Sequence, residues 1–281
     1  MDTMNHEPFW SLGFFELWNP IMVIILLMLG WLYVKSVLSK EGKLSKSKTF
    51  FLVSGLVLFY IAEGSPLHAF GHHYLFTAHM MCMSIAYFMV PPLILLGLHT
   101  WMVDPLLNMT FIRKTLKFFS NPILGVLSFN LLLSFYHIPV IFNFIMSQGW
   151  RMTLANVILI IFSFIMWWLV FPPTERNTRV LTQFQKLGYV FAASVVLTPA
   201  CAMIMFSNHV MYNTIAHEPQ VISFLPALQD QNSGGVIMKI MQEIVFVCVL
   251  AHVVYSWAKS ERDPEQDDLN PKSNNIDLLQ P

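Results

Sequence analysis

Apolar residues in this chain come in long unbroken runs. Seven runs stand out, at 19–38, 49–63, 77–98, 122–140, 152–171, 188–208 and 236–258. A helix of about 20 apolar residues spans the hydrocarbon core of a bilayer. The second run is short for this and reaches that length only by extending past Ser65. The runs are continuous and do not show the ten-residue alternation of barrel strands, so a membrane barrel is excluded. The pattern predicts an all-α polytopic membrane protein of seven transmembrane helices. An N-terminal segment 1–18 precedes the helical domain 19–258, and a tail 259–281 follows it. No internal repeat and no second domain is evident. Pro91-Pro92 in the third helix and Pro199 in the sixth predict kinks.

Composition agrees with this reading. Of 281 residues, 56% are hydrophobic and only 11% charged, where soluble domains carry roughly 25% charge. Disorder needs the opposite balance, and nucleic-acid binding needs a net basic surface. Here 16 Lys and Arg offset 16 Asp and Glu. Their placement says more than their sum. All but Arg151 and Lys239 fall in alternate inter-helix loops or in the C-terminal tail. Loops rich in Lys and Arg stay cytoplasmic, so the N-terminus is expected outside and the C-terminus in the cytoplasm of a cell-membrane protein. The first 18 residues hold no Lys or Arg and carry Asp2, Glu7 and Glu16, unlike a cleaved signal peptide. The tail is acidic and Pro-containing, and disorder is its expected state.

On that topology His6, His68, His72, His73, His79, His137, His209 and His217 lie toward the outside. Only His99 and His252 lie toward the cytoplasm. The densest stretch is 65–83, SPLHAFGHHYLFTAHMMCM. A helix from about Gly71 would put His72 and His79 on one face, with Cys82 and Met83 below them. The outer end of the sixth helix carries Cys201, Met203, Met205 and His209, and the seventh adds Met238 and Met241. Thioether and thiol ligands select Cu(I), and imidazole also suits copper. Hard cations prefer oxygen. The competing reading is that Met fills gaps in apolar cores. The three Cys form no CxxC pair, which excludes zinc ribbons and redox dithiols.

Charges inside spans are candidates for function. Lys239 and Glu243 lie four apart on the seventh helix and can pair with each other, and Glu63 closes the second. Asp230, in the stretch DQNSGG before the seventh helix, can bind a metal or cap a helix. No HExxH, GxSxG, Walker or Rossmann signature occurs, so no enzyme activity is expected.

The stretch SPLHAFGHHYLFTAHM, the Pro91-Pro92 break with LILLGL, and the spacing DQ-x-x-GG-x-x-M at 230–238 resemble the membrane-integral, Bacillus-type CtaG family. The resemblance covers most of the chain. It implies a seven-helix assembly factor for caa-type cytochrome c oxidase that works through copper, with oxidase subunits or a copper donor protein as partners. The positions matching the family's polar pattern are His72, His73, His79, Asp230, Gly235 and Met238. Two positions depart from it. Met83 stands where many members carry a second His, and Lys239 stands where many carry Trp. Three alternatives remain at this point: a metal-free scaffold for oxidase subunits, a membrane metalloenzyme, and a retinal-type protein using Lys239.

Overall fold

A computed structural model describes residues 13–174, 180–213 and 225–269, with side chains placed up to Lys259. His6, His217, Arg176, Arg179 and residues 270–281 of the tail lie outside the described residues. The described chain is helical, with no strand.

The first span is α1 (Phe14–Trp18) followed by α2 (Pro20–Glu41). They join at Asn19, whose φ of 36° is left-handed and whose side chain caps Met22. Asn tolerates that region better than most residues. The second span is α3 (Lys46–Glu63) with α4 (Pro66–His73), so it does extend past Ser65. The third is α5 (Phe76–Ser84), a π-helical turn (Ile85–Met89) and α6 (Val90–Gly97). Then follow α7 (Thr100–Asn108), α8 (Thr110–Phe119), α9 (Pro122–Tyr136) and α10 (Pro139–Met146). The last spans are α11 (Gly149–Trp168), α12 (Gln183–Met205) and α13 (Ala227–Leu269).

Six of these units are long and apolar enough to cross a membrane. The pair α8 and α9, bent by 95°, passes the same test only when taken together, so the described residues give six or seven candidate spans. The run expected at 122–140 therefore begins where expected but stops at Tyr136. Pro139, at the start of α10, disfavours helical geometry at the residue before it.

The third span is the axis of the bundle. In its most apolar stretch 72% of residues are buried, against no more than 33% in any other span. It packs against α3, α4, α11 and α13, and α12 closes the bundle between α13 and α9. One stripe of α13, Met238, Gln242, Phe246, Val249 and Val253, faces this axis and is buried. Its spacing of three and four residues is that of one helix face. Phe246 sets its ring edge-on to Phe88 and to Trp167.

The proline pair acts on the axis without breaking it. Pro91 has no N–H to give to the carbonyl four residues back, that of Tyr87. Ser163 Oγ and Trp167 Nε1 of α11 donate to that carbonyl instead. A single π-helical turn, Ile85–Met89, lies just upstream, the form in which π-helix occurs inside α-helices.

Candidate functional site

The chain turns sharply where the sequence suggested one helix. α4 ends at His73, α5 begins at Phe76, and Leu75 between them is extended. His72 and His79 therefore sit on two helices and do not share a face. The break is made from a distance. Asp230 of α13 accepts the Phe76 amide at 2.7 Å and the Thr77 amide at 3.0 Å, and the Thr77 hydroxyl donates to the Asp230 carbonyl. A carboxylate on two free amides at a helix start is a strong cap. So Asp230 does cap a helix, but that of a neighbour.

The next two residues continue the clamp. Gln231 Oε1 accepts the Met211 amide and its Nε2 donates to the His209 carbonyl. Asn232 donates to the Ser207 carbonyl. Consecutive helical residues point about 100° apart, so three side chains reach three directions. They can do so because α13 starts at Ala227, right after Pro226, well before the expected start at Val236. Gly234 and Gly235 follow. A Cβ on Gly234 would lie 2.6 Å from the Phe76 ring, and one on Gly235 3.0 Å from the Met205 amide. The two glycines let α13 wedge between α5 and α12.

The histidines gather at this end. α4 folds back on α5 so closely that a Cβ on Gly71 would meet the His79 amide at 2.6 Å. His68 Nδ1 lies 3.0 Å from the Ala62 carbonyl. A carbonyl only accepts, so Nδ1 carries the proton and Nε2 keeps its lone pair. His72 stacks on His73 with ring centroids 4.7 Å apart and meets His68 edge-on at 6.2 Å. The Nδ1 of His72 is buried and has no hydrogen-bond partner among the described residues. His73 Nε2 lies 3.2 Å from the Glu16 carboxylate. His79 Nε2 lies 3.3 Å from the Tyr136 hydroxyl, which also faces the Met146 sulfur at 4.0 Å. Phe142 and Tyr212 wall off the site with Phe76, at centroid distances of 5.8 Å and 4.9 Å from its ring.

The remaining sequence candidates separate. Met83, Cys201 and Met238 are buried in the main apolar core. Cys82 and Cys201 are both buried free thiols. Met203 and His209 are exposed, and Met205 is half-buried against Gly235. Among the described residues no three of His, Cys, Asp and Glu are grouped to hold a metal. His137, expected on this side, also belongs to this end, as do Tyr136, Met146 and Gln231, which the sequence did not mark as candidates. One signal did exist: Pro139 two residues after His137 marks a chain break that can bring such side chains inward.

A sequence model of the family described as cytochrome c oxidase caa3 assembly factor (Caa3_CtaG) matches residues 29–260. No curated protein and no solved structure matches the chain. The match covers most of the chain, which therefore belongs to the family of cytochrome c oxidase caa3 assembly factors.

Proposed function

We propose that this member of the caa3 assembly-factor family is a non-catalytic protein of the cell membrane. Its role is to hold Cu(I) transiently at its His-rich end and pass it between a copper donor and an oxidase subunit. The observation that carries this reading is the His68–His72 pair. His68 has its proton fixed on Nδ1 by the Ala62 carbonyl, as carbonyls behind a metal site fix the far nitrogen of a metal-binding imidazole. His72 keeps a buried ring nitrogen without a partner. Cu(I) accepts imidazole and thioether donors, and His79, against which Gly71 of α4 packs, shares the Tyr136 hydroxyl with Met146. A site of few donors suits a cargo that must leave again.

The test has two arms. Full-length protein under reducing conditions is titrated with Cu(I) against a competing chelator, and the same variants are scored in cells for oxidase copper content. His68→Ala/His72→Ala should lose the bound copper and the oxidase's copper together. His209→Ala should lose neither. Wild-type protein that takes up no copper above background would overturn the reading.

A metal-free scaffold is the second reading. It is favoured by the protein partners already held by Asp230 and His73, which leaves fewer side chains for a metal. It predicts that His68→Ala/His72→Ala still restores a copper-loaded oxidase.

A further inference from the structure

The opposite, basic end of the bundle carries a second surface. α8 reads TFIRKTLKFF and has no acidic residue. At 100° per residue, Thr110, Arg113, Lys114 and Lys117 fall on one face, and Ile112, Thr115, Leu116 and Phe119 on the other. Phe119 anchors the apolar face on Phe162 of α11, ring edge to ring face at 5.4 Å. The side chains of Arg113, Lys114 and Lys117 are exposed and make no hydrogen bond or ion pair among the described residues. Phe111 and Phe118, one on each turn of the same flank, are 79% and 61% exposed. The helix stands at 95° to α9, so if α9 crosses the bilayer, α8 lies in its plane.

A groove opens beside the α8–α9 corner. It has a volume of about 360 Å³ and is lined by Ile123, Val126 and Leu127 of α9 and Gly188, Ala192 and Val196 of α12. Gln185 and Tyr189 also line it; the other walls are apolar, and its lining follows α9 and α12 lengthwise, as an acyl chain lies between spans. A cationic face in the membrane plane next to an apolar groove along the membrane normal matches the two halves of one molecule. We propose that α8 and the α9–α12 groove form a binding site for an anionic phospholipid, with the headgroup on Arg113, Lys114 and Lys117 and an acyl chain in the groove. In-plane helices with a basic face and flanking aromatics bind anionic leaflets in this way.

The test is native mass spectrometry of the full-length protein in detergent, titrated separately with phosphatidylglycerol and phosphatidylcholine. Phosphatidylglycerol should bind more tightly. Arg113→Gln/Lys114→Gln/Lys117→Gln should weaken it by about fivefold for each charge removed and leave phosphatidylcholine unchanged. Gly188→Leu should lower occupancy by both lipids, because a Cβ there meets nothing within 4 Å and extends into the groove without a clash. Lys43→Gln/Lys46→Gln, which removes exposed charge from the α2–α3 connection, should change neither. High salt on the wild-type protein should remove the headgroup preference, which keeps the test decisive if the triple variant folds poorly. Equal binding of the two lipids by the wild type, or an equal loss from the Lys43/Lys46 variant, would overturn the site. In that case α8 would be left as a surface for a protein partner.

Discussion

Asp230 and Thr77 hold each other twice. The Asp230 carboxylate accepts the Thr77 amide at 3.0 Å, and the Thr77 hydroxyl returns a bond to the Asp230 carbonyl at 2.9 Å. With the Phe76 amide on the other carboxylate oxygen, this clasp starts α5 and fixes α13 against it. Asp230→Ala leaves two backbone amides at a buried helix start without an acceptor. The expected cost is about 2–4 kcal/mol, read as a fall in thermal midpoint of the detergent-solubilised protein. The fall should be the same with and without Cu(I). A midpoint that drops only when copper is present would make Asp230 a ligand and not a cap.

The Tyr87 carbonyl, freed by Pro91, takes two donors from α11, Ser163 and Trp167. Either donor alone still satisfies it. Ser163→Ala and Trp167→Phe should each cost about 0.5–1 kcal/mol from the lost bond, with some packing loss added for Trp167. Together they leave a buried carbonyl with nothing, so the double variant should cost more than the sum. A double-mutant cycle on thermal or denaturant unfolding measures this, and strict additivity would refute it.

Much of the bundle was legible because a membrane span is a local property. Thr77–Leu98 needed only its own composition to be placed, and the structure gives it as Phe76–Gly97. What sequence could not show was set by contacts across the chain. The break at Tyr74 and Leu75 depends on Asp230, more than 150 residues away in sequence, so the spacing of His72 and His79 was read on a helix that does not continue. Proline positions were legible, but not what surrounds them: a π-helical turn lies just before Pro91-Pro92, and two donors of α11 share the Tyr87 carbonyl. The Met and Cys candidates could not be sorted by facing. Met203 and Cys201 are two residues apart on α12, yet one is exposed and the other buried in the core. The Asp230, Gln231 and Asn232 clamp was visible as a polar stretch, but its three targets are tertiary.

Lys239 and Glu243 form an ion pair four residues apart on α13, as the spacing suggested. α12 completes it: Lys239 donates to the Ser194 carbonyl and the Thr198 hydroxyl, and Ser194 donates to Glu243. Lys239 lies about one turn past Val236, where the apolar run of α13 begins, and Glu243 one turn deeper. Removing one partner leaves a lone charge in the apolar run, at a cost below the roughly 2.5–3.5 kcal/mol of a charge at the bilayer centre. Lys239→Leu and Glu243→Leu should each reduce stability or insertion strongly, while Lys239→Leu/Glu243→Leu should recover most of it. A double variant as damaged as the singles would mean that the pair does more than neutralise itself.

The last prediction concerns pH at the basic end. His99 is buried between α6 and α7, with Nδ1 2.7 Å from the Glu41 carboxylate and Nε2 unpartnered among the described residues. Burial pushes its pKa below the usual imidazole value and the Lys48 ammonium pushes the same way, while Glu41 opposes both. Glu41 also accepts from Trp101, and Lys48 donates to the Leu98 carbonyl, so protonating His99 disturbs a network that ties α2, α3 and α7 together. The folded pKa lies below the unfolded value of about 6.5, so the unfolded chain binds the proton first as pH falls. This contribution to stability is therefore complete above about pH 6.5 and is lost as pH drops toward the folded value. His99→Gln keeps an N–H donor for Glu41 but cannot titrate. Thermal midpoints of wild type and His99→Gln, followed from about pH 7.5 down to about pH 5, should diverge, with the wild type falling more steeply. The other histidines titrate in both proteins and cancel in the difference. Parallel curves would show that His99 does not set the acid sensitivity of this end.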